Sequence, residues 1–291
     1  GSEMCIRDRN QGVEVALSTR NVHTKNFMWT TNFNFAYNNN KVLKEALRED
    51  ALEPGREGYP AGALFALKTA GLDEEGYPMF QDKDGKAVSA MEFFKLQEWG
   101  FGATDLTARE RRELYTYVGT ADCPYTGGFN NTFTYKAFEL GVNFSFDFGG
   151  KVRSQPTYSI VDFDKGRNTN RDILNRWTPE NTETIFPVLL SQNERLDEYM
   201  WYSNQNEIYR NLDIWIRDLN YVRLQNIRLG YTLPTNFSRT LGMTSATVAI
   251  EGRNLLVFGS SYKNYLDPET MSNAYATPAP KSVTLSLNLI F

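Results

Sequence analysis

Between residues 138 and 149 the chain reads FELGVNFSFDFG. Phe138, Leu140, Val142, Phe144, Phe146 and Phe148 fall on one parity, and Glu139, Gly141, Asn143, Ser145 and Asp147 on the other. Successive side chains of an extended chain point to opposite faces, so this period of two predicts a strand with one apolar and one polar face. The preceding GGFNNTFTYK sets Phe129, Phe133 and Tyr135 against Asn130, Thr132 and Thr134. Too few residues separate these runs for anything but a tight antiparallel hairpin. A second hairpin around residues 21–26 joins GVEVALS (Val13, Val15 and Leu17 opposite Glu14 and Ser18) to FMWTTNFNFAYN (Phe27, Trp29, Phe33, Phe35 and Tyr37 opposite Thr30, Asn32 and Asn34). TSATVAIEGRN alternates through Ala246, Val248 and Ile250. KSVTLSLNLIF alternates through Val283, Leu285, Leu287, Leu289 and Phe291, with Ile290 alone breaking the polar side. YVRLQNIRLGYTLP shifts its apolar parity between Leu224 and Ile227, which predicts a bulge or a wet outer end. YPAGALFALKTAGL is almost wholly apolar and is a weaker strand. The pattern as a whole predicts an all-β chain of about eight antiparallel strands.

The segments between strands add side preference. With strand direction alternating from the C-terminal strand backwards, the short connections at residues 39–60, 136 and 232–243 fall on one side, and the long ones at 72–126, 150–220 and 255–280 on the other. Short turns on one side and long loops on the other are the habit of transmembrane β-barrels, with the long loops extracellular. Val42, Leu43, Ala46 and Leu47 in KVLKEALRED predict a helical turn or two on the short side, and residues 172–177 and 194–202 predict short helices in the longest loop.

Composition fits this picture. The 291 residues include 19 Phe, 16 Tyr and 5 Trp, yet the mean hydropathy is only −0.49. Many aromatics in a polar background suit strands with one wet face. No apolar run approaches the ~18 residues of a membrane-spanning helix, a test that spanning strands of about 9–11 half-polar residues escape. A formal charge of −4 gives no basic footprint for nucleic acid. In a barrel the last strand must pair with the first, because open backbone groups are costly in lipid. The apolar face of KSVTLSLNLIF would then meet acyl chains, and Phe291 an interfacial aromatic girdle.

Candidate chemistry is sparse. The single histidine, His23, lies in a connection between strands, and no G-x-S-x-G nucleophile motif accompanies it. A pair of carboxylates for glycoside hydrolysis is not marked by any spacing, so the chain is read as a non-enzyme without cofactor. DKDG at residues 82–85 lacks the twelve-residue calcium loop, since Glu92 falls one place early, and with DEEG at residues 73–76 it is read as turn chemistry. Cys5 and Cys123 form no metal motif. Tyr199, Met200, Trp201 and Tyr202, with Tyr209 and Trp215, place aromatic faces in the longest loop, where they pack the loop or meet a ligand or a protein lid. Tyr199, Trp201 and Tyr202 are the candidate contacts.

Several segments, in order, resemble the SusC/RagA family of TonB-dependent outer-membrane transporters. They are YTGGFNNTFTYKAFELGVNFSFDFGGKV, RWTPEN, YVRLQNIRLGYTLP, EGRNLLVF, YLDPE and the closing alternation to Phe291. The resemblance covers nearly everything after residue 10. It implies the C-terminal part of a 22-stranded barrel in the outer membrane of a Gram-negative cell, without the plug domain and TonB-binding segment. It also implies uptake of glycans or peptides with a SusD-type surface lipoprotein as lid, driven by the TonB complex. Val283, Leu285, Leu287, Leu289 and Phe291 look like the signal read by the outer-membrane assembly machinery. Residues 1–9, which join nothing periodic, are read as a non-native or mis-assembled leader, and residues 10–291 as the barrel portion. Two other readings stay open: a self-contained eight-stranded barrel or adhesin, and a soluble secreted β-rich carbohydrate-binding module or hydrolase. An open set of strands would not fold alone, because both of its edges would lie bare in lipid.

Overall fold

The computed structural model describes residues 7–98, 103–154, 166, 171–189, 210–259, 267–270 and 276–291. The chain begins with two long strands, β1 (Arg7–His23) and β2 (Phe27–Lys44). Short elements follow: β3 (Ala63–Leu67), β4 (Thr69–Leu72), β5 (Pro78–Gln81), β6 (Ala87–Val88), α1 (Ala90–Phe93), α2 (Ala108–Glu113) and β7 (Tyr115–Thr120). Long strands return with β8 (Tyr125–Tyr135), β9 (Phe138–Arg153) and β10 (Ile216–Thr232), then α3 (Thr235–Thr240), β11 (Ser245–Phe258) and β12 (Ser282–Ile290). The seven long strands form one sheet in the order β1-β2-β8-β9-β10-β11-β12. Every neighbouring pair is antiparallel.

The wall therefore has seven strands, one fewer than the about eight predicted. YPAGALFALKTAGL divides into β3, paired with β7, and β4, which joins β5 and β6 in a separate sheet. Its uniform apolarity has a local cause, since Ala66 and Leu67 are buried within the loop layer and need no polar face. KVLKEALRED is not helical at its start. β2 runs through it to Lys44, and Val42 is buried while exchanging backbone hydrogen bonds with the 58–59 segment. Arg7, Asp8 and Arg9 pair with Lys44, Val42 and Lys41 as the outer end of β1. The 3₁₀ turn Arg171–Asn175 falls where a short helix is predicted.

Removing the false strand makes the loop sorting complete. The connections 24–26, 136–137 and 233–244 lie at one end of the sheet, so the 24–26 turn joins the short side, while residues 39–44 complete β2 and 45–60 become part of a long loop. The connections 45–124, 154–215 and 259–281 lie at the other end. Lys136 takes φ 53°, the left-handed conformation demanded by the two-residue hairpin between β8 and β9. The parity shift in β10 is a bulge: Leu224 and Asn226 face consecutive residues of β9, Phe144 and Asn143, with Gln225 as the extra residue.

The long loops build a layer with its own core, in which Leu67, Phe80, Phe93, Phe94, Leu212 and Trp215 are buried together. Phe80 stacks on Phe93 at 4.8 Å and meets Phe94 edge-on at 5.1 Å. Leu67 binds the second long loop through its N–H to the Asn211 carbonyl, and Thr69 Oγ1 donates to Asp213 at 2.6 Å. Two turns pin the layer by the same chemistry. Asp73 Oδ1 accepts from the N–H groups of Glu75 and Tyr77, and Asp82 Oδ1 from those of Asp84 and Lys86. DKDG and DEEG are thus the turns expected of them.

Candidate functional site

Register converts the alternation of each strand into two continuous faces. On one, a row near the short turns runs Phe27, Tyr135, Phe138, Tyr231, Val248 and Leu287. A row near the long loops runs Tyr37, Tyr125 and Phe148. Between them lie Phe33, Phe129, Phe144 and Leu224, with Phe129 and Phe144 stacked at 4.8 Å. No described layer covers this face: Val13, Leu229 and Ile250 are exposed, and Leu285 is 76% exposed. A polar break at Thr31 and Asn131 is closed internally. Trp29 Nε1 (3.0 Å) and Thr31 Oγ1 (2.7 Å) both donate to Asn131 Oδ1, and Asn21 Nδ2 donates to Thr31 Oγ1 (2.7 Å).

Height matters here. Phe27 and Tyr37, in the two aromatic rows, are about ten residues apart on one strand. At ~3.3 Å per residue and a tilt of ~40°, that is ~25 Å of height, the height of the apolar band of an outer-membrane barrel.

The opposite face is polar and carries the most elaborate side-chain constellation of the wall. Arg223 is 2% exposed. Its Nη2 donates to Asp267 and its Nε to Glu269 Oε1 at 2.9 Å. Tyr221, whose ring lies 5.7 Å from the guanidinium, donates through its hydroxyl to Asp147 and to Glu269 at 3.0 Å. The Glu269 N–H in turn donates to Asp267 Oδ1 at 3.0 Å. Burial disfavours the charge of Asp267, but the Arg223 hydrogen bond and this N–H override it and hold its carboxyl below the usual range. The arrangement ties the 259–281 loop, through the DPE of residues 267–269, to the polar side of β9 and β10. Further along this face Arg228 pairs with Glu139 (3.2 Å), Arg253 with Glu251 (2.6 Å), and Gln225 Nε2 donates to Ser145 (2.7 Å).

The residues singled out by the sequence fall in different places. Val283, Leu285, Leu287 and Leu289 share the apolar face of β12, paired with Gly252, Ile250, Val248 and Ala246 of β11, and Phe291 follows the strand at 82% exposure. Tyr199, Trp201 and Tyr202 lie outside the described residues. Trp215 is a core residue of the loop layer, 5.9 Å from Phe186, and so takes the packing role. His23 ends β1 beside a turn. Cys123 is packed against Gly150, and burial, with the nearby Asp147 charge, pushes its thiol pKa up, away from reactivity. Among the described residues no group of three or more His, Cys, Asp or Glu could hold a metal ion. Sequence reasoning missed Arg223 as an anchor. Its parity marks it as polar-facing, but its partners lie 44 and 46 residues further on.

No family model matches the chain. The TonB-dependent receptor P3 of Formosa agariphila is 26% identical over 310 residues, covering 97% of this chain and 28% of that protein. The TonB-dependent receptor SusC of Bacteroides thetaiotaomicron is 22% identical over 302 residues, covering 96% of this chain and 26% of that protein. The chain is similar in sequence to TonB-dependent receptors, SusC among them, and in fold to the RagAB transporter. Among solved structures, that of the RagAB peptide transporter superposes with a TM-score of 0.68 at 22% identity, over 97% of this chain and 29% of that one. The RagAB peptide importer in its closed-closed state gives 0.67 at 21% identity. The wall and its loop layer thus share their fold with transporter barrels. The chain spans just over a quarter of the length of the curated relatives it matches.

Proposed function

We propose that the chain is the C-terminal part, residues 10–291, of a TonB-dependent outer-membrane importer, and that it forms barrel wall rather than performing chemistry. The observation that carries this reading is the uncovered apolar face bounded by two aromatic rows ~25 Å apart, backed by a polar face and by loops sorted to one end. In this reading the apolar face meets lipid, the polar face lines the lumen and the loop layer is extracellular. The cargo is an oligosaccharide or a peptide, admitted under a SusD-type surface lipoprotein and driven by the TonB complex through the part of the receptor upstream of residue 10. Tyr199, Trp201 and Tyr202 would contact cargo or lid. Val283, Leu285, Leu287, Leu289 and Phe291 would carry the assembly signal.

The gene tests the first step: an open reading frame continuing upstream into a plug domain is expected, and a start codon with a signal peptide close to residue 10 would overturn the assignment. The encoded receptor tests the second, because it should fractionate with the outer membrane and lose uptake when TonB is depleted. Recovery in the soluble fraction would sink the membrane reading.

A further inference from the structure

The three connections at the short-turn end, 24–26, 136–137 and 233–244, carry Lys25, Lys136 and Arg239 and no Asp or Glu. The whole chain has a formal charge of −4, so this end is basic against the trend of the molecule. All three side chains are exposed, and none has an ion-pair partner among the described residues. Glu139, near the start of β9, lies on the polar face and is paired with Arg228. Two of the cations rise from one pair of turns. The Lys136 N–H donates to the Asn26 carbonyl at 2.9 Å, which joins the β8–β9 turn to the β1–β2 turn with Lys25 one residue before the acceptor. The Lys136 ammonium lies 5.3 Å from the centre of the Tyr135 ring. Tyr135 belongs to the aromatic row, so this charge leans over the apolar face and away from the polar one. The Tyr135 hydroxyl has no acceptor among the described residues. Two residues further from the turn, Phe133 pairs with Leu140 and stacks on Trp29 at 5.6 Å, on the same apolar face. At the same end of the sheet α3 leaves Phe237 and Leu241, four residues apart, 54% and 57% exposed.

An occupant of this corner meets ammonium charge first, then a phenol donor, then apolar rings. A soluble anion would use the lysines and carry nothing for the rings. A neutral amphiphile would use the rings and leave two unpaired charges. A zwitterionic headgroup brings its own ammonium and no net charge to offset them. A negatively charged phosphodiester on acyl chains satisfies every group, since Lys meets phosphate as a point charge and a Tyr hydroxyl can donate to its oxygens. Lysines beside a bilayer draw anionic lipid in the same way, and an aromatic ring at headgroup level sets the depth. We infer that Lys25 and Lys136, with the Tyr135 hydroxyl, form a headgroup site for an anionic phospholipid whose acyl chains lie along Phe133 and Leu140. This rests on the reading of the apolar face as lipid-facing and adds a headgroup preference at its short-turn edge.

The test uses the full-length receptor reconstituted in vesicles, in a background without other cysteines, with a bimane fluorophore on Leu140→Cys, the apolar-face position opposite Phe133. Acyl chains brominated near their middle quench a fluorophore that they touch. Quenching by brominated phosphatidylcholine is measured while unbrominated phosphatidylglycerol or phosphatidylethanolamine competes for the same positions. A lysine beside an anionic headgroup is worth about fivefold in partition at low ionic strength. Phosphatidylglycerol should therefore displace the brominated lipid at least ~5-fold better than phosphatidylethanolamine, rising to ~30-fold if both lysines act fully. The pair Lys25→Gln and Lys136→Gln should remove that preference, and Lys25→Arg with Lys136→Arg should keep it, each variant being checked for folding by heat-modifiable mobility on gels. Equal displacement by the two lipids overturns the site and leaves the lysines to a soluble anionic partner. A preference that survives both glutamine substitutions overturns it as well, because other groups then hold the headgroup. Absence of quenching by brominated chains would mean that the apolar face does not meet lipid, a failure of the membrane reading that is distinct from equal displacement.

Discussion

Adjacent residues of β9 can decide which face meets lipid. Val142 faces Asn131 on one side and Ile227 on the other, and Asn131 faces Thr31, four residues from Phe27 in the aromatic row. Four residues at ~3.3 Å and ~40° of tilt place Val142 ~10 Å above that row, close to the middle of a ~25 Å band. An arginine there should cost about 2–4 kcal/mol, falling to about 0–1 kcal/mol near an interface. With tenfold per ~1.4 kcal/mol, Val142→Arg should shift the folding equilibrium ~30- to ~1000-fold. Asn143→Arg, one residue on and facing the other way, should stay within about 0.5 kcal/mol. Tyr135→Arg, in the aromatic row itself, should cost no more than about 1 kcal/mol.

The assay is equilibrium unfolding of the full-length receptor in phospholipid vesicles, followed by tryptophan fluorescence. The informative outcome is the order Val142→Arg, Tyr135→Arg, Asn143→Arg, with the cost graded by height. A face buried against protein would penalise Tyr135→Arg by local packing and show no such gradient. Equal costs for Val142→Arg and Asn143→Arg would refute the assignment of faces.

Three further perturbations follow from the geometry. Arg223→Met leaves Asp267 and Glu269 without their cation, a loss of about 3–5 kcal/mol for a buried partner, and should speed protease cleavage within residues 259–281 on intact cells; unchanged cleavage would mean that the loop is held elsewhere. Gly127→Ala drives a Cβ into the Asn34 carbonyl and to 2.6 Å from Phe146 Cζ, so overpacking of about 1–3 kcal/mol should appear in the vesicle unfolding curve, whereas Gly141→Ala should be silent. Glu110 accepts from the Thr107 N–H, then from Lys95 and the Thr107 hydroxyl, which lowers its pKa to about 2. A depressed carboxylate stabilises above its unfolded value near 4.5 and loses that contribution as pH falls through the folded value. Amide protection in α2 should thus hold at neutral pH, decline below about 4.5 and be gone near 2, and Glu110→Gln should abolish that dependence.

Alternation made the wall legible because a sheet with one face in an apolar medium repeats every two residues, as in Phe138 to Phe148. It failed at residues 59–72, where β3 and β4 belong to the small sheets of the loop layer, with Ala66 and Leu67 buried there, and lack the polar parity that marks a wall strand. It failed again at Lys41 to Lys44, where Val42, Leu43, Ala46 and Leu47 mimic a helical stripe while β1 holds the backbone extended. The site was less legible than the fold, because parity assigns a face and only register assigns a neighbour. Asn143 and Asn226 are polar-facing by parity, yet they stand side by side only because the bulge absorbs Gln225.

Counting straight through β10 would put Ile227, Leu229 and Tyr231 on the face of Tyr221 and Arg223. The extra residue at Gln225 returns them to the apolar side, opposite Val142, Leu140 and Phe138. Deleting Gln225 should therefore be tolerated, since the two halves of β10 then alternate without interruption and only the hydrogen bond to Ser145 is lost, about 1 kcal/mol. Deleting Arg228 should not be, because it sends Leu229 and Tyr231 to the polar face, and a one-residue slip inverts every side chain beyond it. The folded fraction of the full-length receptor, read from heat-modifiable mobility on gels, should be near wild type for the first deletion and strongly reduced for the second. Equal folded fractions would mean that the two faces of β10 are interchangeable, and with them the division of this wall into an apolar and a polar side.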